Sequence, residues 1–396
     1  MSEIKPLLPL AAATGISIIG LGTIIPSLPF YATSLGAGPD VAAMIFSVFS
    51  AASLLSAPFW GMMSDKVGRK PVMVMAVFFT VLSYLWMAHA GSLWELYASR
   101  IMAGLTAGWM AASQAYVADV TSPENRAKGL GLLGASFGIG FTVGPIIGAI
   151  ATHGDHVNFA LPAYIAAGFA VTSLLVTLFF VKEPKRHHEV AGRHRLQLLK
   201  DPDLARLIVL YFLVFLMFTG VEGIFALWAK ANFGLGPSQV GYFLGYSGII
   251  MILVQGGIGR AVAKRGEGKV TVFAICSLLG AFVSAPFITG PWGILIPMGL
   301  FALAMGLHNP AMQSLLSRLA PAGRSGGVMG VAQSTMSMAR IAGPAWAGAV
   351  FTHFGADAPF YLGALLLIPI IIYGTLATGR AQQAVADRVD GVQVEA

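Results

Sequence analysis

Ionisable side chains are rare inside the long apolar runs of this chain, so the few that occur there are the first candidates for chemistry. Glu222 is the one carboxylate well inside a run, Asp119 lies near the end of one, and Arg100 is a cation within another. A charge at the centre of a bilayer costs roughly 3 kcal/mol unless it is paired or hydrated. Burial favours the neutral form of a carboxyl group, and contact with water favours its charged form. We therefore select these three residues as candidates for proton coupling, with Glu222 as the proton carrier. A fixed ion pair between Glu222 and an arginine is the alternative.

The arginines inside apolar runs allow more than one role. Arg100 could organise the first and fourth runs through hydrogen bonds instead of taking part in proton transfer. Arg340 could attract an anionic substrate or balance the charge of Glu222. The residue types do not separate these roles, because each role keeps the guanidinium group facing protein or water instead of lipid.

Polar and aromatic residues in the same runs are candidates for the wall of a substrate cavity. Aromatic rings could stack on a planar ligand, and a histidine could change protonation near pH ~6.5. Hydrogen bonds between helices, or packing in the core or against lipid, account for each residue equally well. The candidates are Gln114, Tyr116, Phe30, Phe218, Phe225, Trp228, His308, Asn309, Gln313 and Arg340.

The elements that must position these residues are membrane helices. The chain is 56% hydrophobic and only 10% charged, whereas soluble domains carry about 25% charged residues. A spanning helix needs about 20 mostly apolar residues, and the runs of that length predict an all-α membrane protein with twelve transmembrane helices. The predicted spans are 7–32, 40–62, 71–90, 93–117, 127–151, 159–181, 204–228, 239–262, 270–289, 292–314, 326–351 and 358–378.

The spans form two halves that repeat one another. Glycine, proline and arginine landmarks recur at an offset of 198 residues, which indicates two pseudo-symmetric six-helix bundles with a substrate site between them near the membrane midplane. The matches include Gly61 with Gly259, Gly68 with Gly266, Gly108 with Gly306, Pro123 with Pro321 and, one residue further, Gly144-Pro145 with Gly343-Pro344. The predicted domains are an N-terminal bundle at 1–181, a polar middle loop at 182–203, a C-terminal bundle at 204–380 and a polar tail at 381–396.

Basic residues predict the orientation. Lys and Arg concentrate in alternate loops, and Lys230 is the one basic residue of the opposite loops. Since basic loops stay on the cytoplasmic side, we expect the middle loop, the tail and both termini in the cytoplasm. The basic balance of +7 is therefore a membrane pattern and does not indicate a nucleic-acid partner.

The loop after the second span carries a recognisable motif. Its residues Gly61-Met-Met-Ser-Asp65-Lys-Val-Gly68-Arg69-Lys70 resemble the signature loop of the major facilitator superfamily. The fifth span contains Gly138, Gly140, Gly144, Pro145 and Gly148, which resemble the motif of twelve-helix drug:proton antiporters. Segments around Asp119 and Glu222 resemble the tetracycline-efflux branch. One departure is Ser17, which stands where tetracycline exporters carry an aspartate, so tetracycline itself is placed in doubt as the substrate.

The two motifs suggest a gate and a tight helix contact. We expect Gly61 and Gly68 to allow close approach and a tight turn, Asp65 to lie against the helix that starts near Ser325, and Arg69 to pair with Asp119. Because Ala263 stands where the repeat would place an aspartate, this latch is predicted in the first half only. The rows Gly134/Gly138 and Gly140/Gly144/Gly148 are expected to pack closely against a neighbouring helix.

The resemblance implies a proton-coupled secondary transporter that exports amphiphilic drug-like compounds by alternating access, as in multidrug efflux and antibiotic resistance. A transporter of a lipid or an organic anion is the alternative. A membrane receptor without transport activity is a third interpretation, and the two-fold repeat and the gate loop argue against it. The sequence has no phosphate-binding loop, metal-ligand cluster or nucleophile–base pair. We therefore expect no enzyme activity, no cofactor and no metal, with protons, a small molecule and lipid as partners of a functional monomer in a bacterial inner membrane.

Overall fold

The computed structural model describes residues 5–154, 157–184, 201–321 and 325–394. Within these ranges every regular element is a helix, as the apolar runs predict. The first part contains α1 (Leu7–Ile24), α2 (Leu28–Ser34), α3 (Pro39–Val67), α4 (Arg69–Ala88), α5 (Leu93–Leu105), α6 (Trp109–Val120), α7 (Pro123–Ala151) and α8 (Ala160–Phe180). The second part contains α9 (Pro202–Phe233), α10 (Pro237–Ser284), α11 (Leu295–Leu319), α12 (Ser325–Phe354) and α13 (Ala358–Val394).

The first predicted span is two helices instead of one. Its sequence 7–32 breaks between α1 and α2, at Ile25–Ser27. Pro26 has no backbone N–H and cannot continue the hydrogen-bond ladder of α1. The hydroxyl of Ser27 donates to the carbonyl of Ile24 at 2.9 Å and satisfies an acceptor at the end of that helix.

The fourth predicted span, 93–117, is also broken, between α5 and α6. The Thr106 hydroxyl donates to the carbonyls of Met102 and Ala103, which competes with the regular ladder. The Trp60 indole of α3 donates to the carbonyl of Leu105 that the break leaves free. Gly108 makes room for that ring, since a Cβ there would overlap it.

Nine helical segments of the described chain are long and apolar enough to cross a membrane. The segment Pro237–Phe287 counts as one of them, although Gly266 interrupts it with a positive φ of 77° and so divides α10 into two spans. The α5–α6 pair and α12 also match predicted spans but are not among the nine. With these corrections the helices correspond to the twelve predicted spans. Large side chains such as Leu55, Phe179 and Leu253 are 71–78% exposed, as expected of surfaces that face lipid.

The region beyond the last predicted span is not simply a polar tail. Helix α13 continues from Ala358 to Val394 without a break. Ala381 and Val385 are buried in this continuation, so the predicted boundary at 381 falls inside a helix. Most of the predicted middle loop, from 185 to 200, lies outside the described residues.

Contacts divide the chain into two compact units. The first comprises Met1–His188 together with Ile224–Gly248, and the second comprises Glu189–Gly223 together with Ile249–Ala396. In the first unit, α1 packs against α7 and α8, and its core includes Leu10, Ile18 and Tyr116. In the second, Val270 and Ala274 of α10 pack on Leu307 and Ala311 of α11. The contacts assign 224–248 to the first unit, whereas the sequence assigns it to the C-terminal bundle; the bundle boundaries stay a prediction.

Candidate functional site

Arg69, at the start of α4, joins three elements of the first unit. Its Nε donates to Asp119 Oδ2 at 2.7 Å, and its Nη1 donates to Asp65 Oδ1 and to Ser64 Oγ at 2.6 Å each. Asp119 ends α6, and Asp65 lies in the last turn of α3. The predicted contact between Arg69 and Asp119 is therefore present. This ion pair also gives Asp119 a fixed cationic partner, which favours a structural role over the predicted role in proton transfer.

A carboxylate that the sequence interpretation missed completes this cluster. Glu183 follows α8, and its two carboxylate oxygens accept the backbone N–H groups of Arg69 and Lys70 at 2.7 and 2.8 Å. These are among the N–H groups that have no partner within a helix, and the helix dipole favours an anion there. Gly68 has a φ of 118°, and a Cβ on it would lie 2.6 Å from the Glu183 carboxylate. The predicted turn at Gly68 is confirmed. The sequence signal that could have revealed Glu183 was an acidic residue next to the end of a predicted span.

One further expectation for this loop is not met, and another stays a prediction. A Cβ on Gly61 would meet nothing within 4 Å, so Gly61 does not mark a close helix approach. The observed partner of Asp65 is Arg69, with 66% of the Asp65 side chain exposed. Its predicted position against the helix that starts near Ser325 concerns the other unit and stays a prediction.

The expectation of a latch in the first half only stays a prediction, but the second half contains an ion pair beside the corresponding glycine, Gly266. Glu267 follows Gly266 in α10, and its Oε1 accepts from Arg318 Nη1 at 2.8 Å and from Ser314 Oγ at 3.2 Å. Both partners belong to the last turns of α11. The sequence comparison looked for an acid at Ala263, four residues before the residue that makes the contact.

Glu222 and Arg340 both belong to the second unit, on α9 and α12. Each is half-buried. Arg340 acts electrostatically on the Glu222 carboxylate, but among the described residues Glu222 forms no ion pair within 4.0 Å. Arg340 Nε is buried without a hydrogen-bond partner. The two charges are thus neighbours that are not locked together, contrary to the static ion pair that the sequence left open.

A hydrogen-bonded chain near Arg340 joins α9 to α11. The Tyr211 hydroxyl donates to Asn309 Oδ1 at 2.6 Å, and Gln313 Nε2 donates to the same oxygen at 2.9 Å. Sequence reasoning selected Asn309 and Gln313 but missed Tyr211. Its signal was a tyrosine in an apolar span, where the hydroxyl needs a partner. His308 is fully buried beside Tyr211, with ring centroids 5.8 Å apart, and neither ring nitrogen has a partner.

The predicted cavity residues differ in exposure. Gln114 and Gln313 are exposed, whereas Phe218, Asn309 and Arg340 are half-buried. Phe218 stacks on Phe301 with centroids 4.4 Å apart. The remaining candidates are at most 6% exposed and do not line an open cavity in this conformation, so ligand contact by them stays a prediction. They are Phe30, Tyr116, Phe225, Trp228 and His308.

Arg100 is buried in the first unit, and no carboxylate of the described residues pairs with it. Its guanidinium lies 5.1 Å from the centre of the Phe49 ring, and Nη1 lies 3.8 Å from Met87 Sδ. Nε has no hydrogen-bond partner. These contacts belong to α3 and α4, so the predicted hydrogen-bond network with α1 is not formed. Phe49 also lines a small recess, together with Ser17 and Tyr84.

Ser17 joins α1 to α8 instead of supplying a proton site. Its hydroxyl donates to Ser173 Oγ at 2.7 Å, and Ser173 donates to the carbonyl of Ala13 at 2.8 Å. Both serines are buried. A neutral pair thus occupies the place where the family resemblance would put an acid.

Two faces of α7 pack closely within the first unit. On one face, a Cβ on Gly144 would lie 2.6 Å from the Ile19 carbonyl and 2.7 Å from Gly22 Cα of α1. On the other, a Cβ on Gly241 of α10 would lie 2.6 Å from the Pro145 carbonyl, and Gly245 and Gly248 continue that row. The predicted close packing at Gly140, Gly144 and Gly148 is present, and the row on α10 was missed. A Cβ on Gly134 would meet nothing within 4 Å, so the first predicted row does not pack closely at that position.

Comparison with known proteins identifies the family. The model of the Major Facilitator Superfamily matches residues 10–344. The chain belongs to the major facilitator superfamily. The class D tetracycline resistance protein of Salmonella ordonez is 30% identical over 94% of this chain and 95% of its own length. Multidrug resistance protein 2 of Bacillus subtilis is 28% identical over 89% of this chain and 90% of its own length.

A solved structure extends the similarity to the fold. The human organic anion transporter MFSD10 (TETRAN) is 26% identical, with a TM-score of 0.73 over 94% of this chain and 100% of that one. The superfamily member described here is therefore a multi-pass, all-α membrane transporter of small molecules and not an enzyme. The resemblance inferred from the signature loop and from the glycine motif of the fifth predicted span is confirmed, as is the resemblance to the tetracycline-efflux branch.

Proposed function

We propose that this protein exports amphiphilic, drug-like compounds in exchange for protons, by alternating access. The observation that supports this most directly is the Glu222 carboxylate, which is half-buried on a membrane helix and has no ion-pair partner among the described residues. The relatives named as tetracycline and multidrug resistance proteins support export of such compounds. Since the sequence has no nucleotide-binding loop, the energy comes from an ion gradient or from the substrate gradient, and in this proposal it comes from the proton gradient.

Protonation of Glu222 changes its electrostatic interaction with Arg340. An ionised Glu222 attracts the nearby guanidinium, and protonation removes that attraction. Loading and unloading one proton therefore changes the charge balance of the second unit, and a conformational equilibrium responds to such a change when its two states differ in affinity for the proton. In this proposal the protein works as a monomer in a bacterial inner membrane, with both termini in the cytoplasm.

Transport by inside-out vesicles tests the assignment of Glu222. With an acidified lumen, vesicles that contain the exporter should accumulate a fluorescent cationic dye such as ethidium while protons leave the lumen. The E222Q variant should lose proton-driven uptake at least tenfold, or about 1.4 kcal/mol in rate, yet bind the dye as wild type does. Asp203→Asn is the matched control, because it removes one carboxylate from the same helix at its end, where Asp203 pairs with Arg206 at 2.6 Å. Full uptake by E222Q would refute the proposal.

Export of organic anions is the second candidate, and the buried arginines favour it. Arg100 and Arg340 each have an Nε without a hydrogen-bond partner, and Arg100 has no carboxylate near it among the described contacts. A related structure is that of a human organic anion transporter. The same vesicles distinguish the two candidates: accumulation of carboxyfluorescein but not of ethidium would favour the anion.

A further inference from the structure

Glu267 and Arg318 form an ion pair in the second unit that the proposed function does not use. The Glu267 side chain is only 6% exposed, whereas that of Arg318 is 55% exposed. A nearly buried carboxylate needs compensation, since leaving one charge unpaired costs more than the pair itself gains. Arg318 and Ser314 provide that compensation from one helix, α11, and so tie its end to the break in α10.

This contact corresponds to the Arg69 contact with its charges exchanged. At the repeat offset of 198, Gly68 corresponds to Gly266 and Arg69 to Glu267. Both glycines have positive φ, 118° and 77°, and each is followed directly by the charged residue. In the first unit the base follows the glycine and the acid Asp119 ends α6. In the second unit the acid follows the glycine and the base ends the equivalent helix, α11.

The third side chain of each cluster is consistent with this exchange of acid and base. Glu183 accepts N–H groups at the start of α4, next to the cation of Arg69. The equivalent place in the second unit is occupied by a neutral amide: a Cβ on Gly266 would lie 2.8 Å from Gln382 Nε2, and one on Gly268 would lie 2.7 Å from Gln382 Oε1. A carboxylate at that place would repel Glu267, and an amide does not.

We propose that Glu267 and Arg318 are a second latch, a pair of positioning residues that holds the junction of the two α10 spans against the end of α11 during transport. The pair requires opposite charges but not a particular order of them, because the first unit makes the same contact with the order reversed. Gln382 forms the neutral third side of this latch. The effect on transport rests on the proposed function, and the effect on the junction does not.

Charge exchange tests the proposal. R318E and E267R should each lower the maximal rate of dye uptake about tenfold with little change in KM, since each places like charges in contact at a nearly buried site. The double variant E267R/R318E should recover at least half of the wild-type rate. Arg260→Glu is the matched control, because it makes the same charge change at an exposed position of α10, and it should transport like wild type. A double variant as inactive as the single ones, or single variants with normal transport, would overturn the latch.

A labelling readout separates this proposal from the transport function. In a background that replaces the single cysteine with serine (C276S), Ala320→Cys reports on the end of α11. The single charge variants should label several-fold faster with a membrane-impermeant maleimide in inside-out vesicles, and the double variant should return to the original rate. E267Q and R318Q provide milder variants if a reversal prevents folding, which size-exclusion chromatography detects. Unchanged labelling in all single variants refutes the latch. If the variants change their labelling rates as expected but the protein moves no dye, the proposed function is refuted and the latch is not.

Discussion

At the scale of single residues, exposure decides which charges of the Arg69 cluster matter. Arg69 and Asp119 expose only 15% and 10% of their side chains, whereas Asp65 exposes 66%. Exposed ion pairs contribute about 0–1 kcal/mol because water and salt screen them. The signature motif directs attention to Asp65, yet the low exposure of Asp119 gives Asp119 the larger share of the contact with Arg69.

Substituting the two aspartates should separate these contributions. We expect Asp119→Asn to destabilise the protein by about 1–3 kcal/mol, because it leaves the Arg69 guanidinium without its least exposed anionic partner. Asp65→Asn should cost less than about 1 kcal/mol. Thermal unfolding of the purified variants in detergent measures both effects, and dye uptake by vesicles measures their consequence for transport. Equal losses for the two variants would contradict the ranking by exposure.

At the scale of elements, close backbone contact replaces side-chain packing between α1 and α7. Gly22 of α1 and Gly144 of α7 face each other, so that a Cβ on either would meet backbone of the other helix. The second half repeats the arrangement between α9 and α12, where a Cβ on Gly223 would lie 2.6 Å from Pro344 Cβ. In a bilayer, where the hydrophobic effect does not drive helices together, such close packing stabilises their association.

The two glycine rows of α7 therefore predict opposite outcomes for the same substitution. Gly144→Ala should destabilise the protein by about 1–3 kcal/mol, the usual cost of overpacking, because the added methyl group meets backbone atoms that move only with the whole helix. Gly134→Ala places the same group in open space and should be neutral or stabilise by up to about 1 kcal/mol, since alanine favours a helix over glycine. Unfolding temperatures and uptake rates of the two variants provide the comparison. A Gly144→Ala protein as stable and active as Gly134→Ala would show that α1 and α7 are not in tight contact.

At the scale of the whole molecule, the sequence predicted the features that depend on composition and on repeated spacing. It predicted a contact between distant residues only where motifs included both partners. Apolar length predicted the membrane helices, and the motif loop predicted the contact of Arg69 with Asp119. Glu183 was not found, because its partners are backbone N–H groups more than a hundred residues away, and Gln382 was not found, because it lies beside glycines that are equally distant in sequence; neither leaves a local pattern. The breaks at Pro26 and Thr106 were missed because hydropathy responds to composition and not to the local hydrogen bonds that end a helix.

The distribution of basic residues predicts the orientation of the whole molecule in the membrane, and α10 offers the clearest test of that prediction. This helix is continuous apart from Gly266, yet Lys264, Arg265 and Lys269 flank the break, whereas residues 285–294 contain no basic residue. Basic residues near span ends resist translocation, so we expect the break to be cytoplasmic and the segment after α10 to be periplasmic. Fusions of alkaline phosphatase, which is active only in the periplasm, should be inactive after Gly266 and active after Gly290 and Gly355. Fusions of green fluorescent protein should give the opposite result at each site. If Gly266 and Gly290 report the same side, α10 does not contain two spans. The twelve-span topology with both termini in the cytoplasm would then also be wrong, because removing one crossing places the two ends of the chain on opposite sides.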